Sequence, residues 1–171
     1  MLTALRRESN QKCIYCEGFP DDVAYAAVEH IRPKHRFPEL ILEWSNLGLA
    51  CTRCNTNKGS YWSDDSDLQL LNPYVDAVHD HIEFAGPLPV AAHGSSRGAN
   101  TLRILKLARE ELVISRMRRI QEVDTRIKLW HDEVNPEMKL LLADDLRDAL
   151  NSDQEFSAAL TAFAVGRGFV P

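Results

Sequence analysis

The chain lacks the long apolar runs that carry a protein into or across a membrane. No stretch of about 18 uncharged apolar residues occurs in its 171 residues, and residues 1–8 contain no signal-peptide core. A glycine-rich phosphate loop and internal repeats are also missing. We therefore expect a soluble, cytoplasmic protein without membrane contact that does not itself use ATP. Its length suits one domain, or a small core with an appended unit.

Cysteine is scarce, and all four copies lie between residues 13 and 54. They form two Cys-x-x-Cys pairs, Cys13 with Cys16 and Cys51 with Cys54, so no cysteine is left over. In a reducing compartment, two such pairs indicate a tetrahedral Zn²⁺ site before disulfides. Unrelated buried thiols or one redox motif are the alternatives, but a redox motif needs no second copy. We predict one structural zinc ion.

An excess of basic residues is also lacking, since the net charge is −5. The charges are unevenly spread, however: residues 1–60 carry a net +1, residues 61–99 a net −5, residues 100–130 a net +4 and residues 131–171 a net −5. Positive charge thus gathers around the cysteines and on one later segment. This distribution is compatible with a local phosphate-binding surface on an acidic protein.

The segment between the cysteine pairs predicts a strand, a loop, a second strand and a helix. The first strand is expected at Val23–Val28, the second at Leu47–Ala50, and the helix at Cys51–Lys58 with Gly59 ending it. An acidic residue and a histidine, Glu29 and His30, follow the first strand. The two halves of the metal site therefore flank a candidate catalytic pair.

These residue types suit the hydrolysis of phosphodiester bonds. Histidine, with an ordinary pKa of about 6.5, can accept a proton from water at neutral pH. The oxygens of Glu29 and Asn55 suit a hard cation such as Mg²⁺ or Mn²⁺. Taken alone, Glu29 and His30 would be interpreted as a surface acid and a core histidine. The cysteine pairs, Asn46 and Asn55 together favour the catalytic interpretation.

Residues 13–58 resemble the HNH endonuclease family, whose core is a ββα-metal fold. The resemblance implies that His30 is the general base and that Glu29 is the acidic ligand of a divalent ion. It also implies that Asn46 holds the loop and orients the base, and that Asn55 is the third signature position. Many members have aspartate before the base and histidine at that third position. The expected fold class is α+β, with a nuclease core at residues 1–75 and a helical region at 76–171.

Cations surround the expected site and would meet a backbone phosphate without reading sequence. They are Arg32, Lys34, Arg36, Arg53 and Lys58. Each can also be interpreted as a solvated surface charge. Lys58 matches the family's lysine on the metal-binding helix.

Beyond residue 100 the apolar spacing predicts one long helix, broken at most once. Asn135 with Pro136 predicts a helix start, and Ser152 with Glu155 a capping box for a last helix. The long helix carries an arginine cluster, interpreted as an exposed face or alternatively as a DNA-facing surface. Its basic members are Arg103, Lys106, Arg109, Arg116, Arg118 and Arg119.

Residues 70–84, the following Gly-Ser loop and the arginine-rich helix are more loosely similar to HNH proteins found with retrons and Septu-type phage defence. That likeness implies an ATPase partner and a role in antiviral defence. The small number of cations at the site predicts weak DNA binding by one chain, so a partner or a homodimer is expected.

Two hypotheses about function follow. The first is a metal-dependent endonuclease that hydrolyses phosphodiester bonds in DNA. The second is a zinc-ribbon module that binds nucleic acid or protein and cuts nothing. A binding ribbon needs the four cysteines but has no use for Glu29, His30 and Asn55, so the sequence favours the nuclease.

Overall fold

The computed structural model describes residues 1–20 and 25–171. The first part contains helix α1 (Leu2–Glu8), strands β1 (Ala26–His30) and β2 (Leu47–Cys51), and helix α2 (Thr52–Lys58). β1 and β2 run antiparallel and pair His30 with Leu47 at one end and Ala26 with Cys51 at the other. The β1–β2 loop contains two short 3₁₀ helices, Pro38–Leu40 and Trp44–Asn46.

The first strand lies later in the chain than the sequence predicted. It ends at His30, because the antiparallel register continues until His30 faces Leu47. Glu29 and His30 are therefore its last two residues. The predicted start at Val23 and Ala24 falls outside the described residues.

The second part is mainly helical. A hairpin of β3 (Ile82–Ala85) and β4 (Leu88–Ala91) precedes helices α3 (Ser96–Leu105), α4 (Glu110–Asp132), α5 (Pro136–Leu150) and α6 (Ser157–Gly166). The predicted α+β class, with a small ββα core and a mainly helical second part, is confirmed. Among the described residues, no helix is long and apolar enough to cross a membrane.

The long helix predicted after residue 100 is divided into α3 and α4. Lys106 ends α3 in the left-handed conformation, with φ of +50°. Glu110 and Glu111 occupy the first turn of α4, where the helix dipole favours negative charge. The break brings the start of α4 against α2, where Arg109 contacts Cys54.

The predicted cap of α5 agrees with the structure. The Asn135 side chain accepts hydrogen bonds from the backbone N–H groups of Glu137 (2.9 Å) and Met138 (3.2 Å). Pro136 occupies the first turn, where its missing N–H costs nothing.

The capping box predicted for the last helix is wrong. Phe156, in a left-handed conformation with φ of +57°, precedes α6 without a side-chain cap. The carboxylate of Glu17, far away in sequence, instead accepts a hydrogen bond from Ala158 N at 3.0 Å. The Glu155 carboxylate accepts a hydrogen bond from Phe19 N at 3.1 Å, so it binds the segment that follows the first cysteine pair.

Buried side chains from both parts of the chain pack around the cysteines. Leu105, Leu112 and Phe156 belong to the same buried cluster as Cys16 and Ala50. A second cluster joins α4, α5 and α6. The division at residues 75 and 76 stays a prediction, and the two parts bury apolar surface against each other.

We expect Leu160→Ala to lower the free energy of unfolding by about 2–5 kcal/mol, because a fully buried side chain leaves a cavity between α4, α5 and α6. Leu140→Ala is the matched control: Leu140 is 66% exposed on α5, so its change should stay within about 0.5 kcal/mol. Denaturant unfolding of both zinc-loaded variants measures the difference. Equal effects would contradict the described packing.

Candidate functional site

The four cysteine side chains converge in one buried cluster. The Sγ atoms of Cys13, Cys16, Cys51 and Cys54 all lie within 4.8 Å of one another. The Cys16 and Cys51 sulfurs are 3.9 Å apart, near the ~3.8 Å edge of a tetrahedron with Zn–S bonds of ~2.3 Å. The thiols are free. The donor set and its geometry therefore fit the predicted zinc ion.

Backbone hydrogen bonds bring the two cysteine pairs together. The first pair forms a turn that Ile14 N fastens to Leu49 O of β2 at 2.9 Å. Cys51 ends β2 and caps α2, where its sulfur accepts from Cys54 N at 3.4 Å. Hydrogen bonds from the other thiols, led by Cys13, lower the pKa of Cys51. The hydrogen bonds among the thiols, again led by Cys13, raise the pKa of Cys16 and of Cys54. Without a metal the cluster therefore favours the thiolate at Cys51 and not at every sulfur.

Two arginines of the later segment are not part of the exposed face that was predicted, whereas Arg103, Lys106 and Arg118 are exposed as expected. Arg109 donates to the sulfurs of Cys54 (3.7 Å) and Cys51 (3.9 Å). Arg116 is only 2% exposed. Burial opposes the charge of Arg109, but the cysteine charges, led by Cys54, raise its pKa.

His30 is held by the loop that separates the two strands. Its Nε2 lies 3.2 Å from the carbonyl oxygen of Ile41. A carbonyl can only accept, so Nε2 carries the hydrogen. In the neutral ring, Nδ1 then keeps a free lone pair, which is the state that a general base requires.

The Asn46 side chain is buried and connects two points of the same loop. Its Oδ1 accepts from Arg32 N at 2.7 Å, and its Nδ2 donates to Arg32 O at 3.1 Å. Nδ2 also donates to Leu40 O at 3.2 Å. Arg32 follows His30 by two residues, and Leu40 precedes Ile41. Asn46 therefore fixes both the strand end with the imidazole and the carbonyl that orients it.

Glu29 does not lie beside His30, because successive side chains of a strand point to opposite faces. Glu29 is 1% exposed, and its Oε1 forms a 2.6 Å ion pair with Lys58 Nζ. Tyr15 donates to the same oxygen at 3.4 Å. Burial raises the pKa of Glu29, although Lys58 and Tyr15 oppose the shift. Glu29 was expected to bind a divalent ion, but its carboxylate is buried and paired with Lys58.

Lys58 also differs from its expected place on the surface. It is 4% exposed, and its Nζ donates to His30 O at 2.8 Å as well as binding Glu29. Burial in this position excludes contact with a DNA phosphate. Lys58 therefore joins α2 to the end of β1.

The comparison with known families adds to this geometry. Residues 13–61 match the model of the HNH endonuclease family. The family resemblance predicted from the sequence is thereby confirmed. No solved structure shows a significant match to the chain.

Two curated relatives are both named Septu protein PtuB. The one from Bacillus thuringiensis is 42% identical over 81 residues, which cover 47% of this chain and 31% of that protein. The one from Bacillus mycoides (strain KBAB4) is 26% identical over 151 residues, 71% of this chain and 51% of that protein. The chain thus spans between about a third and a half of the length of these relatives.

The residues predicted to hold Mg²⁺ or Mn²⁺ do not form an open site in the HNH core. The Glu29 carboxylate forms an ion pair with Lys58 Nζ. Asn55 is partly exposed on α2. Among the described residues, the four cysteines are the group of at least three thiol, imidazole or carboxylate side chains that could hold an ion. Glu29, paired with Lys58, is therefore not free to bind a second metal ion.

Exposed cations lie on the loop that follows His30 and on α2. The Arg32 guanidinium lies 5.3 Å from the centre of the Trp62 ring and 5.7 Å from that of Phe37. Lys34 is exposed. Arg36 is paired with Asp64. Arg53 lies 3.8 Å from Glu111 in an exposed contact, which holds it weakly.

Three parts of the site were not predicted from the sequence. Tyr15 stands inside the first cysteine pair, which was the one available signal for its closeness to the site. The Ile41 carbonyl has no signal in the sequence, because any residue has one. Arg109 was named in the arginine cluster, but its spacing did not indicate a contact with cysteines 55 and 58 positions earlier.

We expect about one zinc per chain in the purified protein and a loss of both zinc and core structure in Cys54→Ser, because so short a ββα unit buries too little surface without the metal. Elemental analysis and circular dichroism provide the measurement. Thr56→Ser, an exposed change on the same helix, should retain both. A parent protein with no zinc and an intact fold would contradict the assignment.

Proposed function

We propose that the chain is an HNH-type endonuclease that hydrolyses phosphodiester bonds in DNA, with His30 as the general base. The observation that carries the proposal is the hydrogen bond from His30 Nε2 to Ile41 O, which leaves Nδ1 able to accept a proton. A water activated at Nδ1 would attack the phosphorus in line with the leaving oxygen. A zinc-ribbon module that only binds has no need for this arrangement.

Two further side chains would position His30 without reacting. Asn46 fixes the loop that carries the Ile41 carbonyl, through its bonds to Arg32 and Leu40. Lys58 binds the backbone oxygen of His30 itself. A base held from both sides loses little entropy when it meets substrate, which supports catalysis by orientation.

Substrate phosphates would bind the exposed cations of the loop and of α2. Arg32 is the strongest candidate, because it lies two residues after His30 and its guanidinium is already ordered against Trp62 and Phe37. Lys34 and Arg53 are proposed for the same role. A guanidinium ordered before binding loses less rotamer freedom to a phosphate.

Dependence on Mg²⁺ or Mn²⁺ is inferred from the family resemblance, and Asn55 remains a proposed ligand. Glu29 is not proposed as one, since its carboxylate is buried with Lys58. The steps above therefore use residues of the chain and no bound ion. The role of Glu29 is then to keep Lys58 in place beside His30.

We further infer a role in phage defence together with an ATPase partner. The support is the match to two relatives named Septu protein PtuB and the looser likeness of residues 70–84 and the arginine-rich helix. Because the chain spans only part of those relatives, its partners and target stay proposals. A homodimer is likewise still a prediction.

We expect His30→Ala to lower the rate of plasmid cleavage by about 10²–10⁴-fold, because the variant lacks the imidazole proposed to deprotonate the water. Fold and zinc content should not change. His35→Ala is the control, since this exposed histidine lies on the same loop. Plasmid nicking is followed with and without Mg²⁺ or Mn²⁺. Plasmid that is retarded in a gel but never cut by the parent would favour the binding module.

A second prediction separates the buried ion pair from a metal site. Glu29→Gln should destabilise the fold by about 3–5 kcal/mol, because it leaves Lys58 buried without a counter-charge. The double variant Glu29→Gln/Lys58→Met should recover most of that stability and retain the parent's dependence on Mn²⁺ concentration. If the folded double variant needs much more Mn²⁺ than the parent, Glu29 is a ligand after all.

A further inference from the structure

Two arginines flank the first turns of helix α4, and one of them contacts the cysteine cluster. Arg109 directly precedes the helix, and both of its terminal nitrogens lie 3.7 Å from the Cys54 sulfur. Arg116, two turns later, donates to Leu107 O at 2.9 Å. Its guanidinium lies 5.5 Å from the centre of the Phe84 ring and 5.4 Å from that of Phe156. Arg109 therefore lies where α4 meets the nuclease core, and Arg116 lies within the helical region.

Such cations require negative charge close by. Within residues 1–20 and 25–171, no carboxylate forms an ion pair with Arg109 or Arg116. Carbonyl oxygens and aromatic faces supply partial charges only. An uncompensated buried guanidinium would cost several kcal/mol. The sulfurs of Cys54 and Cys51, which contact Arg109, can carry full negative charge. Burial lowers the pKa of Arg116, and the charges of Cys16 and Glu17 oppose that shift.

The zinc ion leaves net negative charge on the cysteine cluster beside Arg109. Four thiolates and one Zn²⁺ carry two net negative charges, and the Arg109 guanidinium offsets one of them. Hydrogen bonds to metal-bound sulfur also weaken the repulsion among the four thiolates. We propose that Arg109 is a counter-ion of the zinc centre, and that the centre thereby fastens the start of α4 to the nuclease core.

The proposal is independent of catalysis, because it concerns only the attachment of the helical region. Two parts of α4 are expected to behave differently. Its first turn, with Leu112, packs near the cysteines. Its second half, with Ile120, Val123 and Ile127, packs in the separate cluster with α5 and α6. Zinc should therefore stabilise the first turns of α4 and leave the second half largely unaffected.

The first measurement is the affinity for zinc, from competition with a chromogenic chelator. Arg109→Gln keeps hydrogen-bond donors but removes the charge, and should weaken zinc binding by about 10–100-fold. Arg109 is partly exposed, so the variant is expected to fold. Arg118→Gln, exposed on the same helix, should bind zinc like the parent.

Hydrogen exchange on the full chain provides the second measurement, with zinc bound and after chelation. Faster exchange at residues 110–116 on zinc removal, with residues 120–130 still protected, is the expected result. Faster exchange at residues 110–116 in zinc-loaded Arg109→Gln would show that their protection depends on the charge contact between Arg109 and the cysteine sulfurs. Unchanged zinc affinity in Arg109→Gln, or equal protection of residues 110–116 with and without zinc, would overturn the proposal. Neither readout depends on cleavage activity.

Discussion

The convergence of four thiols at one buried point is the constraint on which the rest of the structure depends. It sets the distance between the first cysteine pair and the β2–α2 junction. It also surrounds itself with apolar side chains from both parts of the chain. A two-stranded sheet and two turns of helix would have little reason to persist without such a crosslink.

The chemistry of the site follows from one strand end. At the last two residues of β1, the alternation of the strand sends Glu29 inward and leaves His30 at the loop. The inward carboxylate is matched by Lys58, while the imidazole is matched by a backbone carbonyl. Of these two neighbouring residues, Glu29 contributes to stability, and His30 is the proposed reactive group. Family resemblance does not distinguish these tasks, because it assigns roles by order along the chain.

Much of the core could be predicted from the sequence, since spacing carries the relevant information there. The two cysteine pairs, the strand–loop–strand–helix order and the cap at Asn135 depend on local patterns. The positions of Glu29 and Lys58 could not be predicted, because which face of a short strand is buried depends on what packs against it. The burial of Arg109 and Arg116 was not predicted, for a similar reason. Helical periodicity shows which residues share a face, but it does not show what packs against that face.

The cap of α6 has a consequence for how the chain assembles. Glu17 accepts from Ala158 N, and Lys12 donates to Ser157 Oγ at 2.9 Å, across more than 140 positions of sequence. The cysteine turn emerges from the ribosome well before residues 157 and 158 are synthesised, so the zinc core can form while the helical part is still incomplete. When α6 forms, the Glu17 carboxylate is then already in place on the folded core to accept the hydrogen bond from Ala158 N. Contacts of such sequence separation are slow to close in a free chain, and vectorial synthesis shortens that search.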